Sequence, residues 1–410
     1  MSIKTILATC YTVNPYRGSK EKMGWNFIVQ IPRYQKVIAI TRKKNQAPIE
    51  KYLNENKNPA FNNITFLYFD LPHWMRFWKK EGRLELLYYY MWQRGIVPFV
   101  KSQTLCFDIV HNVNFNTDWM PSFLWKLNKP MVWGPVGSNS RIPKQYLKLY
   151  SKKHHLINEL NWIVKNLIWK HSKSFQKTID NSTHIWCMNR NVPNNLGLKE
   201  ENYSIHPPVA SEDFFSAKKE KSNQFNVLSV GRFVAIKGFD LTINAFIGFV
   251  RSLPRGEQKY CKLTLIGTGP EKELYQKIID QNDANDCIEI LEWMDQQSLM
   301  QKYQDATVFL FPSHEGAGMV IAEALSFGLP IICLDNDGPG QYITEAMGIA
   351  VPEQSYTDTI IGLKQALLKL YKIPHLTKIM SDRAREHYEE KFSWESRGTH
   401  LKNIYNKIAQ

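Results

Sequence analysis

The sequence predicts an α/β protein built from two similar domains, and three observations carry that expectation. Short apolar runs of strand composition alternate with amphipathic stretches of helical period along the chain, the order that builds parallel sheets covered by helices. The chain is 410 residues long, more than one hydrophobic core usually serves. Near its middle, Ile205-His206-Pro207-Pro208-Val209-Ala210 interrupts regular structure with two prolines, and a polar run from Ala217 to Gln224 follows before apolar residues resume at Phe225. The expected division is therefore residues 1–208, residues 209–390 and a terminal helical segment, 391–410. Hydrophobic residues make up 43% of the chain, spread without a short-period repeat or low-complexity tract, which excludes a disordered or fibrous class.

The elements follow in order. Lys4 to Thr9 is an apolar strand, Tyr11 to Gly24 a loop holding Gly18 and Gly24, Trp25 to Arg33 a helix, and Lys36 to Thr41 an alternating strand, so the chain opens as a βαβ unit. In the second half, Val227-Leu228-Ser229-Val230 is a strand. It ends in the turn Gly231-Arg232-Phe233-Val234-Ala235-Ile236-Lys237-Gly238, and a helix runs from Leu241 to Val250. Leu263 to Ile266 is a strand closed by Gly267-Thr268-Gly269-Pro270, with a polar helix from Glu271. Val308-Phe309-Leu310-Phe311 is a buried strand, Ser313 to Gly318 a glycine-bearing turn, and Met319 to Ser326 a helix stopped by Gly328-Leu329-Pro330.

That last unit carries the chemistry. A turn poor in side chains, Gly316-Ala317-Gly318, lets a ligand approach the backbone, and the first helical turn at Met319 and Val320 presents unpaired N–H groups to an anion such as phosphate. Carboxylates stand at its two ends, Glu315 in the turn and Glu323 about two helical turns later. Carboxylates accept hydrogen bonds from vicinal diols, so diol plus phosphate suggests a nucleotide sugar. Arg232 and Lys237 suit a diphosphate, the guanidinium gripping oxygens in bidentate fashion and the lysine acting as a point charge. An arginine and a lysine near a turn are nonetheless common in so basic a chain, and a Gly-x-Gly-Pro turn alone is weak evidence.

Taken together these segments resemble the signature of retaining family 4 glycosyltransferases of the GT-B fold, in which an acidic turn, a helix, a second Glu and a small-Gly-x-Pro stretch follow a Gly-Arg, a Lys-Gly and a Gly-x-Gly-Pro turn. The resemblance implies two Rossmann-like domains facing each other across a cleft, the first on the acceptor side and the second holding the donor, with the terminal helix crossing back to the first. It also implies sugar transfer from a nucleotide-diphosphate sugar to a hydroxyl acceptor with retention of configuration, as in surface polysaccharide or glycolipid synthesis. Glu315 would contact the transferred sugar and Glu323 the ribose hydroxyls, while Arg232 and Lys237 stabilise the leaving diphosphate. Gly231, Gly267, Gly269, Gly316, Ala317, Gly318, Met319 and Val320 would line the donor. No metal and no cofactor besides the donor is expected. Arg17-Gly18-Ser19-Lys20 resembles the glycine-bearing first loop, so Gly18 and Ser19 would lie across from the donor phosphates. Phe107-Asp108-Ile109-Val110-His111-Asn112-Val113 resembles a strand and His-containing turn, making His111 the nearest candidate for an active-site histidine. Two departures stand out. Gly134-Pro135-Val136-Gly137 replaces the usual His-bearing turn, and Glu292 stands where a glycine near the base is expected. A non-catalytic nucleotide-sugar binder and a GT-B nucleotide-sugar epimerase remain the alternatives.

The formal net charge of +14 calls for anionic partners. No nucleic-acid motif is present. Aromatic and cationic residues interleave in His73-Trp74-Met75-Arg76-Phe77-Trp78-Lys79-Lys80, in Leu87 to Trp92 and in Asn161 to Lys170, a composition suited to peripheral contact with an anionic membrane. Absence of a targeting segment or an apolar run of about 18 residues suggests a cytoplasmic protein, on the inner face of the plasma membrane if peripheral. The six scattered cysteines read as buried free thiols.

Overall fold

The computed structural model describes residues 3–18, 20–78, 84–113, 117–137, 139–215, 224–316 and 318–408. The chain divides into two compact units. Unit 1 comprises 1–138, 163–208 and 394–410; unit 2 comprises 139–162 and 209–393. A piece of the amino-terminal half, 139–162, thus packs with the second unit, where Tyr146 donates to the Gln354 carbonyl at 2.9 Å and Tyr150 to Asp240 Oδ1 at 2.6 Å.

Unit 1 is a seven-stranded parallel sheet in the order β3-β2-β1-β4-β5-β6-β7. Its strands are β1 (Thr5–Cys10), β2 (Lys36–Thr41), β3 (Ile64–Tyr68), β4 (Ile109–Val113), β5 (Met131–Val136), β6 (His184–Cys187) and β7 (Tyr203–Ile205). Side-chain alternation along β1 serves two cores. Ile6, Ala8 and Cys10 join one with Phe27 and Ile28, and Leu7 joins the other with Tyr88, Tyr89 and Trp92. The terminal helix Trp394–Ile408 packs in unit 1, placing Leu401, Ile404 and Tyr405 in the first of these cores. The first helix spans Lys20–Gln30, earlier than expected, because the earlier start adds Met23 to the buried residues Trp25, Phe27 and Ile28 and Gly24 is absorbed into the helix rather than breaking it.

Unit 2 is a six-stranded parallel sheet, β10-β9-β8-β11-β12-β13. Its strands are β8 (Phe225–Val230), β9 (Cys261–Ile266), β10 (Ile288–Leu291), β11 (Val308–Phe311), β12 (Ile331–Asp335) and β13 (Gly348–Pro352). Val227, Val308 and Leu310 face a core shared with the helices Phe239–Arg251 and Tyr356–Lys372, while Leu228, Phe309 and Phe311 face the helix Met319–Ser326. Both sheets are covered on both faces, as the sequence predicts for an α/β protein.

The aromatic segments divide between surface and core, with Trp74 and Phe77 exposed and others packed inside. Tyr88, Tyr89 and Trp92 of the helix Glu85–Lys101 are buried, and Lys79 and Lys80 lie outside the described residues. In the helix Lys152–His171, the Trp169 indole donates to the Asp118 carbonyl at 2.7 Å and Lys165 is buried against the Asp118 carboxylate at 3.4 Å. The large hydrophobic side chains exposed on that helix are aliphatic: Leu156, Ile157, Leu160, Ile163 and Leu167. None of the six cysteines forms a disulfide; Cys10, Cys187, Cys261 and Cys333 are buried as expected, whereas Cys106 is exposed and Cys287 half-buried.

Candidate functional site

In unit 2 the strand order changes direction between β8 and β11, since β9 and β10 lie to one side and β12 and β13 to the other. Ligands of open parallel sheets bind beyond the carboxyl ends of the strands at such a switch point. The turns that leave β8 and β11 carry Arg232, Lys237 and Glu315.

The structure joins two of these three. Lys237 Nζ donates to Glu315 Oε2 at 2.7 Å, with side chains only 10% and 17% exposed, and stands 4.9 Å from the Phe311 ring centroid. Backbone contacts hold this pair in place. Lys237 closes the 3-10 turn Ala235–Lys237, and Gly238 follows at φ 68°, where an added Cβ would fall 2.1 Å from the Pro312 carbonyl oxygen. Ser313 Oγ and the His314 N–H both donate to the Ile236 carbonyl, at 3.1 and 2.9 Å, and the Glu315 N–H donates to Ser313 Oγ at 3.2 Å. The turn after β9 stacks on the same assembly. A Cβ at Gly267 would lie 1.8 Å from the Gly231 carbonyl oxygen, and the Phe233 N–H donates to the Thr268 carbonyl at 2.8 Å. Gly231 lies under the Lys237 stem, and Gly269 lies against the Phe233 backbone.

Arg232 is exposed and makes no ion pair among the described residues. It is therefore available to an anion beside the Lys237–Glu315 pair. The helix Met319–Ser326 starts at Gly318 with no side-chain cap, leaving the first-turn N–H groups at Met319 and Val320 without that partner. The Gly316 N–H donates to Asn139 Oδ1 at 3.1 Å; Ala317 lies outside the described residues. Glu323, at the far end of the motif, accepts the Tyr303 hydroxyl at 2.8 Å, a bond that fixes its carboxylate against a fully buried ring.

Sequence reasoning missed several neighbours. His314 Nδ1 lies 3.0 Å from Glu353 Oε1, and the Asn336 amide donates both to that oxygen and to the Ser313 carbonyl at 3.0 Å. Burial pushes the Glu353 carboxyl up, but hydrogen bonding and charge from His314 outweigh it and hold the group below its ordinary range. His314 adjoins Glu315 in sequence and could have been noticed. Asn139, Asn336 and Glu353 reach the turn only through tertiary packing and left no local signal. Among the described residues no group of three or more His, Cys, Asp or Glu is arranged to hold a metal ion.

The remaining candidates belong to unit 1. Gly18 is exposed, with nothing within 4 Å of an added Cβ, and Ser19 lies outside the described residues. His111 is fully buried on β4. Its Nε2 faces the Gly134 carbonyl at 2.9 Å and its Nδ1 the Tyr405 hydroxyl at 2.6 Å. A carbonyl only accepts, so Nε2 carries the proton and Nδ1 accepts from the tyrosine. Burial lowers its pKa to about 3, which keeps the ring neutral. Both nitrogens are thereby engaged within unit 1.

Comparison with known proteins bears on unit 2 first. Residues 210–387 match the family model Glycosyl transferases group 1. That span holds every unit 2 candidate from Gly231 to Glu323. The lipopolysaccharide core biosynthesis glycosyltransferase LpsD of Rhizobium meliloti (strain 1021) is 28% identical over 187 residues, covering 46% of this chain and 50% of that protein. The chain spans about half the length of the curated relatives it matches. Solved structures extend the likeness to the whole fold. A glycosyltransferase from Rickettsia africae ESF-5 superposes with a TM-score of 0.63 at 14% identity, covering 100% of both chains. Anabaena HepE, solved in complex with UDP, gives 0.61 at 12% identity over 99% of this chain and 100% of its own. The two-sheet α/β fold is thus GT-B.

Proposed function

We propose that the chain is a retaining, metal-independent family 4 glycosyltransferase that moves a sugar from a nucleotide-diphosphate donor to a hydroxyl acceptor in surface polysaccharide or glycolipid synthesis. The observation that carries this reading is the Lys237–Glu315 pair at the β8/β11 switch point, with the unpaired Arg232 beside it and the uncapped helix start at Met319. The relatives named above support the same class. On donor binding, Lys237 passes from the Glu315 carboxylate to the diphosphate, and Glu315 becomes available to the sugar hydroxyls. Arg232 grips the diphosphate from the solvent side, the N–H groups of the first helical turn add further donors, and Glu323 takes the ribose diol. In the transfer step the bond from the anomeric carbon to the phosphate oxygen breaks. A bond to the acceptor oxygen forms on the same face, and the acceptor proton passes to the departing phosphate oxygen. Lys237 and Arg232 stabilise the negative charge that builds on the diphosphate, the task a metal ion performs in other designs. We place the protein in the cytoplasm in peripheral contact with the membrane. No helix among the described residues is long and apolar enough to cross it.

Thermal stability against a panel of nucleoside diphosphates tests this function. A ligand that binds only the folded state stabilises it by about 2.7 kcal/mol at a hundred times its Kd. One diphosphate is expected to raise the Tm, less so in Arg232→Ala and not at all in Arg232→Ala/Lys237→Ala. No shift with any diphosphate in folded protein would sink the donor-site reading. A shift accompanied by donor turnover without an acceptor would favour an epimerase.

A further inference from the structure

We propose that unit 1 holds a binding site for one acyl chain of an anionic membrane lipid, in the groove between the helix Glu85–Lys101 and the segment that follows β3. This goes beyond the transferase reading and does not depend on it. The groove has a volume of about 710 Å³, within the range of about 300 to 1,000 Å³ typical of small-molecule sites. Phe69, Leu71, Met75, Met91, Val97 and Phe99 form its walls, two of them methionines whose unbranched side chains adapt to an irregular apolar ligand.

The walls are fixed rather than loose. Gly95 lies mid-helix, where an added Cβ would be 2.9 Å from Leu71 Cδ2 and 3.0 Å from Phe69 Cζ, so helix and segment meet there in contact. The Trp92 indole donates to the Phe69 carbonyl at 2.9 Å. The next residue, Asp70, accepts from Arg42 Nε at 3.1 Å and from the Tyr88 hydroxyl at 2.7 Å, anchoring the segment from below. An apolar groove held open by buried polar bonds is pre-organised, which lowers the cost of filling it.

Charge selects the occupant. Among the described residues the two charged ones lining the groove are Arg94 and Lys126, both exposed, and no carboxylate lines it. Trp74 and Phe77, 71% and 65% exposed, stand on the same segment as Met75, the kind of aromatic edge found at the level of lipid headgroups. A sugar or nucleotide would leave most of its hydrogen-bonding groups facing apolar walls, and a free phosphate would leave the walls unused. A hydrocarbon chain ending in an anion satisfies both.

Calorimetric titration of the whole protein with hexyl, octyl and decyl phosphate, each below its micellar concentration, tests the site. One saturable site per chain is expected, with affinity rising about fourfold per added methylene, the increment of burying a CH₂. Inorganic phosphate alone should not saturate. Met91→Trp should flatten the dependence on chain length, and Arg94→Glu/Lys126→Glu should weaken decyl phosphate at least about tenfold while the dependence on length survives. Affinity independent of chain length, uptake without fixed stoichiometry, or binding unchanged in both variants would overturn the proposal. Nucleoside-diphosphate stabilisation should persist in both variants, so failure of this site and failure of the donor site are read separately.

Discussion

His111 shows how a residue of catalytic type can be committed to holding structure. Its ring bridges β4, the Gly134 carbonyl of β5 and Tyr405 of the terminal helix, and nothing in the local sequence announces the last of these, 294 positions away. The bridge has a consequence for pH. The pKa of His111 is lowered from an ordinary 6.5 to about 3 by burial, and that of His184, on β6 beyond β5, to about 4, again chiefly by burial. Between those values and 6.5 the unfolded chain binds protons at these rings that the folded chain does not. Stability then rises with pH through that window and is level with respect to these groups above it. Chemical unfolding from pH 4 to 8 should show this slope, and His111→Gln should reduce it by up to one proton. An unchanged slope in the variant would mean that the ring titrates in the folded state.

At the scale of elements, the sequence was informative wherever structure is local. The units around β8, β9 and β11 were legible because a strand, a glycine turn and a helix start each leave a signal within about ten residues, and Lys237 and Glu315 sit in two of those turns. Less was legible where packing decides. Gly24 reads as a helix breaker yet lies inside the helix Lys20–Gln30, since burial of Trp25 and Phe27 outweighs a cost of about 1 kcal/mol for a helical glycine. Asn139 could not be read as a neighbour of Gly316 across 177 positions. Glycines themselves look alike in sequence and differ in the structure. Gly267→Ala would drive a Cβ to 1.8 Å from the Gly231 carbonyl oxygen, whereas Gly18→Ala meets open space. Gly267→Ala is expected to cost about 1–3 kcal/mol in denaturant unfolding and to displace the Gly231 turn enough to weaken diphosphate stabilisation. Gly18→Ala should fall within about 0.5 kcal/mol of the parent. Equal effects from the two would show that the stacked turns yield easily.

For the whole molecule the outstanding property is excess positive charge, +14, and the helix Lys152–His171 indicates where it would act. By the helical period, Leu156, Leu160, Ile163 and Leu167 share an arc of roughly 60°, with Lys165 roughly opposite. The sequence alone could not show which face is outward, and the structure inverts the usual arrangement by burying the lysine against Asp118 and exposing the aliphatic stripe. Lys152, Lys153 and Lys170, all exposed, fall close to the stripe on the same wheel. Such a face lowers its free energy by inserting the aliphatic tips among acyl chains while the lysines meet anionic headgroups, each worth about 1 kcal/mol near a charged surface. The proposed peripheral contact therefore predicts co-sedimentation with vesicles containing phosphatidylglycerol at low ionic strength and weakening as salt shortens the screening length. Vesicles of phosphatidylcholine alone should bind far less. Leu156→Ser/Leu160→Ser/Ile163→Ser/Leu167→Ser should lose most of the binding, because it removes the apolar term while leaving every lysine in place. If that variant binds anionic vesicles as well as the parent, charge alone accounts for attraction and the stripe must be covered by something other than lipid.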